Sequence, residues 1–332
     1  MSYPLTFVTA LVAAAILTPL VARTAVRLGL LDHPGGRKVH VAAVPRLGGV
    51  AMALALATAL GASLVADASQ GISPAMHLRD ILPIITGAVL VFAVGLWDDI
   101  DPRTVSFKIS VELVASLIVV GAGLTISRVT LLGVTYDLGW LAPMATIAWV
   151  LGLTNAFNLV DGLDGLAGGL VAIAAATCAV VLIARGEAGA ARILVALVGA
   201  TLGFLIYNLP PARIFLGDSG SLLAGFLLAV TAVTGQQKGA TTLAAGVPLL
   251  IFAVPLLETV TTVVRRVIAG QRLASPGLSG RTRALSHVFA PDAGHLHHRL
   301  ERAGLTPRVA VSLLYGLAFA LSAIALLTMQ AP

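Results

Sequence analysis

Charge is scarce in this chain: only 11% of its 332 residues are Asp, Glu, Lys or Arg, against about 25% in ordinary soluble domains. There is one cysteine, Cys178, so an intrachain disulfide and a cysteine zinc site are both excluded. Set in an apolar run, Cys178 reads as a small buried hydrophobe. No internal repeat of about 20–50 residues is visible. What fills the space is apolar: 58% of residues are hydrophobic and the mean hydropathy is +0.98. That composition predicts an all-α polytopic membrane protein. The net charge of +6 comes from basic residues set between long apolar spans. This pattern points to the Lys/Arg bias of cytoplasmic loops and away from nucleic acid.

Ten candidate spans fall near 4–22, 47–66, 80–97, 107–125, 141–157, 166–184, 191–208, 220–235, 242–264 and 308–329. Each is close to the roughly 20 residues a bilayer needs. The first lacks a basic leading region and a cleavage site, so it is expected to be retained. Sixteen of the 21 Lys and Arg lie on the side of loops 23–46, 98–108, 158–165, 209–219 and 265–307. That asymmetry places these loops in the cytoplasm and both termini outside. Weak alternation over 126–139 predicts a short outer-face β-hairpin. The whole of 1–332 reads as one integral-membrane domain, with 265–307 as a long cytoplasmic loop, part of it amphipathic.

Polar residues concentrate in the cytoplasmic loops. Residues 155–169 place Asn155, Asn158, Asp161 and Asp164 at a three-residue spacing, with Gly162 and Gly165 between them. Carboxylates beside a bilayer are unfavourable without a cation, a partner or water. Asp98 and Asp99 stand adjacent at the end of the third span, with Lys108 beyond; their repulsion calls for a divalent cation or a basic partner. Asp218 sits between Gly217 and Gly220 before the eighth span, where Ser219 is placed to cap the helix. Phe215 lies in the same polar loop, where an aromatic ring can stack on a base. His295, His297, His298 and Arg299 fall within five positions; a phosphate patch, a metal site and an incidental turn all remain open. Lys38 and His40 add cations near the amino end, as phosphate contacts or as ordinary positive-inside residues.

Carboxylates gathered with cations on one face suit Mg²⁺ and a phosphate substrate. The membrane setting implies that one reactant is a lipid, so phosphoryl transfer to a lipid acceptor follows. A secondary transporter is the competing class. Transport sites, however, lie near the bilayer midplane, commonly in repeated halves, whereas these acids sit at span ends.

The residues resemble the polyprenyl-phosphate N-acetylhexosamine-1-phosphate transferases over nearly the whole chain. The matching motifs are D-H-P from Asp32, P-R-L-G-G from Pro45, W-D-D from Trp97, N-L-V-D-G-L-D-G-L-A from Asn158, F-L-G-D-S-G-S from Phe215 and H-L-H-H-R-L from His295. The resemblance implies transfer of a sugar 1-phosphate from a UDP-N-acetylhexosamine to a polyprenyl phosphate in the bacterial inner membrane. UMP would be released, and Mg²⁺ would serve as cofactor with Mn²⁺ able to substitute. The downstream product would be a cell-wall polymer or polysaccharide. A homodimer is compatible with it. It implies that Asp218 is a metal ligand with Asp98 and Asp99, and that these three and Lys108 are catalytic. Lys38, His40, Asn158, Asp161, Asp164, Phe215, His295, His297, His298 and Arg299 would contact substrate. The His-x-His-His-Arg form is similar to the N-acetylglucosamine branch; the muramoyl-pentapeptide branch, the alternative donor class, typically has three consecutive histidines. Glu258 stands where relatives usually carry Asp, and 277–290 appear as extra residues.

Overall fold

The structure, a computed structural model, describes residues 3–33, 43–71, 78–131, 134–234, 246–273 and 304–330. In chain order these form α1 (Tyr3–Arg27), β1 (Leu31–Asp32), β2 (Val44–Pro45), α2 (Gly48–Ser69), α3 (Leu78–Ile100) and α4 (Val105–Gly121). Then come β3 (Arg128–Leu131), β4 (Val134–Asp137), α5 (Ala142–Val160), α6 (Leu166–Ala184) and α7 (Ala188–Asn208). The last are α8 (Gly217–Thr234), α9 (Gly246–Ile251), α10 (Ala253–Leu273) and α11 (Pro307–Gln330). Inside a bilayer each backbone group must find its partner within the segment, so apolar runs become helices. Eight described helices are long and apolar enough to span: α1, α2, α3, α5, α6, α7, α8 and α11. The chain is an all-α polytopic membrane protein.

Two expected spans take other forms. The span expected over 107–125 is α4, which at 17 residues lies at the short end of the spanning range. The one expected over 242–264 is two helices, broken at Phe252. Pro255 has no N–H to give the Ile251 carbonyl, so the helical ladder cannot run through. The hairpin forms as expected: β3 and β4 pair antiparallel, with Arg128 opposite Asp137 and Leu131 opposite Val134. It follows the far end of α4, so it lies at the opposite end of the bundle from Lys108.

The bundle is arranged around α8, almost every residue of which is buried. Helices α2, α3, α5, α6 and α7 pack against it. The α1–α7 seam is close because it is built of small residues. A Cβ on Gly199 or Gly203 would meet the carbonyl oxygens of Phe7 and Leu11, each at 2.4 Å. Such small-residue seams let membrane helices gain dispersion energy where lipid offers no hydrophobic drive. At the hairpin end a part-buried ion pair, Arg192 Nη1 to Asp67 Oδ2, ties α7 to α2.

Candidate active site

The loops after α3, α5 and α7 converge on the amino-terminal end of α8. Gly217 opens that helix with φ +74°. A Cβ there would lie 2.6 Å from the Arg46 carbonyl oxygen and 2.6–2.7 Å from both Asp99 carboxylate oxygens. Only glycine fits. Asp99 is buried and faces the unpaired N–H groups of the helix start. Its Oδ1 accepts from Asp218 N at 2.8 Å, and its Oδ2 from Ser219 N at 3.0 Å and Ser219 Oγ at 2.6 Å. A carboxylate is favoured at this positive helix end. The cap is therefore Asp99 from α3, and Ser219, expected to cap, is a donor to it.

The approach of α3 to α8 depends on Gly95, where a Cβ would meet the Asp218 carbonyl oxygen at 2.6 Å. The Pro45–Gly49 segment, one of the motifs that carry the resemblance, docks the α7–α8 loop through its backbone. Phe215 N donates to Pro45 O at 2.8 Å, Gly48 N to Phe215 O at 2.9 Å and Gly49 N to Leu216 O at 2.8 Å. Phe215 itself is half-buried.

At the centre of the site the Lys108 ammonium bridges two carboxylates. Nζ donates to Asp218 Oδ2 at 2.6 Å and to Asp98 Oδ2 at 3.2 Å. The other oxygen of Asp98 accepts from Arg103 N at 2.7 Å. Arg103 also stacks its guanidinium 4.3 Å over the Trp97 ring, fixing the turn between α3 and α4.

The acid loop after α5 is held from several sides. Asn158 Nδ2 donates to Ser221 Oγ at 3.1 Å, linking α5 to the first turn of α8. Asp164 Oδ2 accepts from Ala212 N at 2.9 Å. Buried Asn208 joins both loops: its Oδ1 accepts from Gly165 N at 3.1 Å, and its Nδ2 donates to Ile214 O at 2.9 Å. Tyr315 on α11 donates its hydroxyl to Gly165 O. Asp161 caps the end of α5, and its carboxyl is held well above the ordinary range, first by desolvation and then by the charges of Asp218, Asp99 and Asp164.

The structure thus brings Asp98, Asp99, Lys108, Asn158, Asp161, Asp164, Phe215 and Asp218 to one end of the bundle. Lys38, His40, His295, His297, His298 and Arg299, together with 277–290, lie outside the described residues. Among the described residues no three His, Cys, Asp or Glu side chains form a ready metal cluster. Asp98 and Asp218 do share a cation already, the Lys108 ammonium. Two carboxylates with hard oxygen donors fit Mg²⁺, which commonly takes its remaining ligands from water and substrate phosphates. Sequence reasoning missed Glu112, buried on α4 and bonded by Asn155 Nδ2. A lone carboxylate in an apolar span was the available signal. Asn208 and Tyr315 gave none, because their partners are backbone groups of distant loops.

Residues 81–236 match the family model described as glycosyl transferase family 4. The chain is 33% identical over 324 residues to a protein of Bacillus subtilis (strain 168) named as a probable undecaprenyl-phosphate N-acetylglucosaminyl 1-phosphate transferase; the match covers 96% of this chain and 84% of that one. It is 35% identical over 316 residues to a decaprenyl-phosphate N-acetylglucosaminephosphotransferase of Mycolicibacterium smegmatis, covering 88% of this chain and 73% of that protein. It is 30% identical over 306 residues to an undecaprenyl-phosphate alpha-N-acetylglucosaminyl 1-phosphate transferase of Salmonella typhi, covering 89% and 75%.

Proposed function

The chain belongs to glycosyl transferase family 4, and on that premise we propose that it moves N-acetylglucosamine 1-phosphate from its UDP-sugar to a polyprenyl phosphate, releasing UMP. The observation that carries this reading is the Lys108 ammonium seated between Asp98 and Asp218 at the start of α8. Two acids, one cation and a helix amino terminus in one place can hold a pyrophosphate and the charge that develops on it.

In the transfer, an oxygen of the lipid phosphate attacks the phosphorus that bears the sugar. The bond from that phosphorus to the bridging oxygen breaks, and UMP leaves with the bridging oxygen. The second pKa of a phosphate monoester is about 6, so near pH 7 the acceptor is mostly ionised and needs no dedicated base. Lys108 neutralises charge on the phosphates; before they bind, Asp98 and Asp218 hold its ammonium. Asp99 acts on the backbone, fixing the direction of α8 and hence of Asp218. Asn158, Asp161 and Asp164 line the donor side, and Phe215 offers a ring to the uracil. Asp218 and Asp98 would hold Mg²⁺ or Mn²⁺, which supplies further charge neutralisation to the pyrophosphate.

The excess of Lys and Arg in the loops of this end supports a cytoplasmic site, with both termini on the outer side of a bacterial inner membrane. The test is direct: incubate the purified protein with undecaprenyl phosphate and either UDP-N-acetylglucosamine or UDP-N-acetylmuramoyl-pentapeptide, then read UMP release and the mass of the lipid product. N-acetylglucosaminyl diphosphate lipid is expected. Turnover of the pentapeptide donor with none of the N-acetylglucosamine donor would overturn the reading.

A further inference from the structure

Glu112 takes no part in the transfer just described, yet a carboxylate inside an apolar helix is unfavourable to keep. It lies four residues after Lys108 on α4, one turn along the same face, and is 2% exposed. Its Oε2 accepts the Asn155 amide from α5. Its Oε1 is buried with no hydrogen-bond partner among the described residues. An orphaned buried acceptor calls for a donor in some working state of the protein.

The nearest supply is Lys108. Its ammonium has three N–H donors and uses two, on Asp98 and Asp218. Those two carboxylates are also the ones that would hold a divalent cation in the reading above, and a divalent cation held there repels the ammonium. Glu112 meanwhile is attracted by the charge of Lys108 and repelled by that of Asp218. Resting on the transferase reading, we propose that Glu112, braced by Asn155, is a positioning residue: the second seat of the Lys108 ammonium, taken when a cation and phosphates occupy the Asp98–Asp218 pair. In that seat the lysine remains charged and paired inside the apolar slab. Its free N–H groups stay one turn from the phosphates.

The test uses the full chain in lipid nanodiscs and Mg²⁺ alone, with binding read by thermal shift. Glu112→Gln keeps the shape and an acceptor for Asn155 but removes the charge. It should weaken Mg²⁺ binding about tenfold, while the same change in a Lys108→Ala background should have no further effect, because no ammonium then needs a seat. Equal weakening in both backgrounds would mean a simple field effect on the cation. That result overturns the second seat and leaves the transferase reading standing. Absence of Mg²⁺ binding to the unmodified protein overturns the cation site and the second seat together. A measurement without any Glu112 variant runs in parallel. The chain has three lysines, Lys38, Lys108 and Lys238, so ¹⁵Nζ labelling gives few signals, and Lys108→Arg identifies one. That signal should move on adding Mg²⁺ and stay protected from exchange with water; loss of protection would refute the proposal.

Discussion

Gly95→Ala is the smallest change that should separate the site from the fold. Gly95 lies on α3, three and four residues before Asp98 and Asp99, so it shares their face. An added Cβ would sit 2.6 Å from the Asp218 carbonyl oxygen, and 2.7 Å from both the Asp218 carbonyl carbon and Ser219 Cα. Ordinary contact begins at 3.4 Å, and all three atoms are backbone or Cα, so no rotamer relieves the clash. The helices must part by about 0.8 Å. Overpacking of this kind costs about 1–3 kcal/mol, offset by the ~1 kcal/mol that alanine gains over glycine in a helix. The net loss of stability should therefore be small. The loss of activity should not, because a misplacement near 1 Å at a reacting centre can lower rate about a hundredfold. The assay is UMP release beside a thermal melt, with Gly61→Ala on α2 as control. Nothing lies within 4 Å of a Cβ at Gly61, so that variant should keep its activity and gain ~1 kcal/mol at most. If Gly95→Ala turns over at near the unmodified rate while folded, the claim that α3–α8 spacing sets the site is wrong.

Asp218→Asn preserves size and the α8 backbone but removes the charge facing Lys108, so UMP release should fall by about two orders of magnitude or more with the melting temperature little changed; normal turnover at limiting Mg²⁺ would sink the ligand assignment. Arg192→Met takes one charged hydrogen-bond donor from buried Asp67, and should destabilise the fold by about 1.5–3 kcal/mol in a denaturation series. Asp161 gives a pH dependence: its folded-state pKa is raised, so the folded protein binds this proton more tightly than the unfolded chain. Its contribution is most favourable below the unfolded value of 3.8 and is lost as pH rises toward the raised one. In EDTA the melting temperature should fall across that window, and Asp161→Asn should flatten the slope; an unchanged slope would refute the assignment. Cysteines placed at Ala212 and Ala293 should be labelled only from the cytoplasmic side, and one at Gly189 only from outside.

The spans were legible because a run of apolar residues in a bilayer has one backbone solution. The hairpin was legible from alternation, and the acids of the site from their spacing. What each acid does was not. Asp98 and Asp99 are neighbours in sequence, but successive residues on a helix point about 100° apart, so one reaches Lys108 and the other caps α8. Sequence order cannot say which. The break within the span expected over 242–264 had a legible signal, the proline at 255, whose missing N–H ends one helix and starts another. The Pro45–Gly49 segment was legible only as a motif, because its work is done by main-chain amides, which side-chain chemistry does not advertise.

That docking strip has a consequence for how the site can change over time. The three bonds that fasten Phe215 and Leu216 to the Pro45–Gly49 segment run between peptide groups alone. They are indifferent to which side chain stands at 215. On the transferase reading proposed above, exchanging that ring would change the face offered to the nucleotide base, while the main-chain bonds that lead to Asp218, three residues on, stay in place. The fold thereby lets the surface at position 215 vary in single steps, while the main-chain docking of its loop is left unchanged.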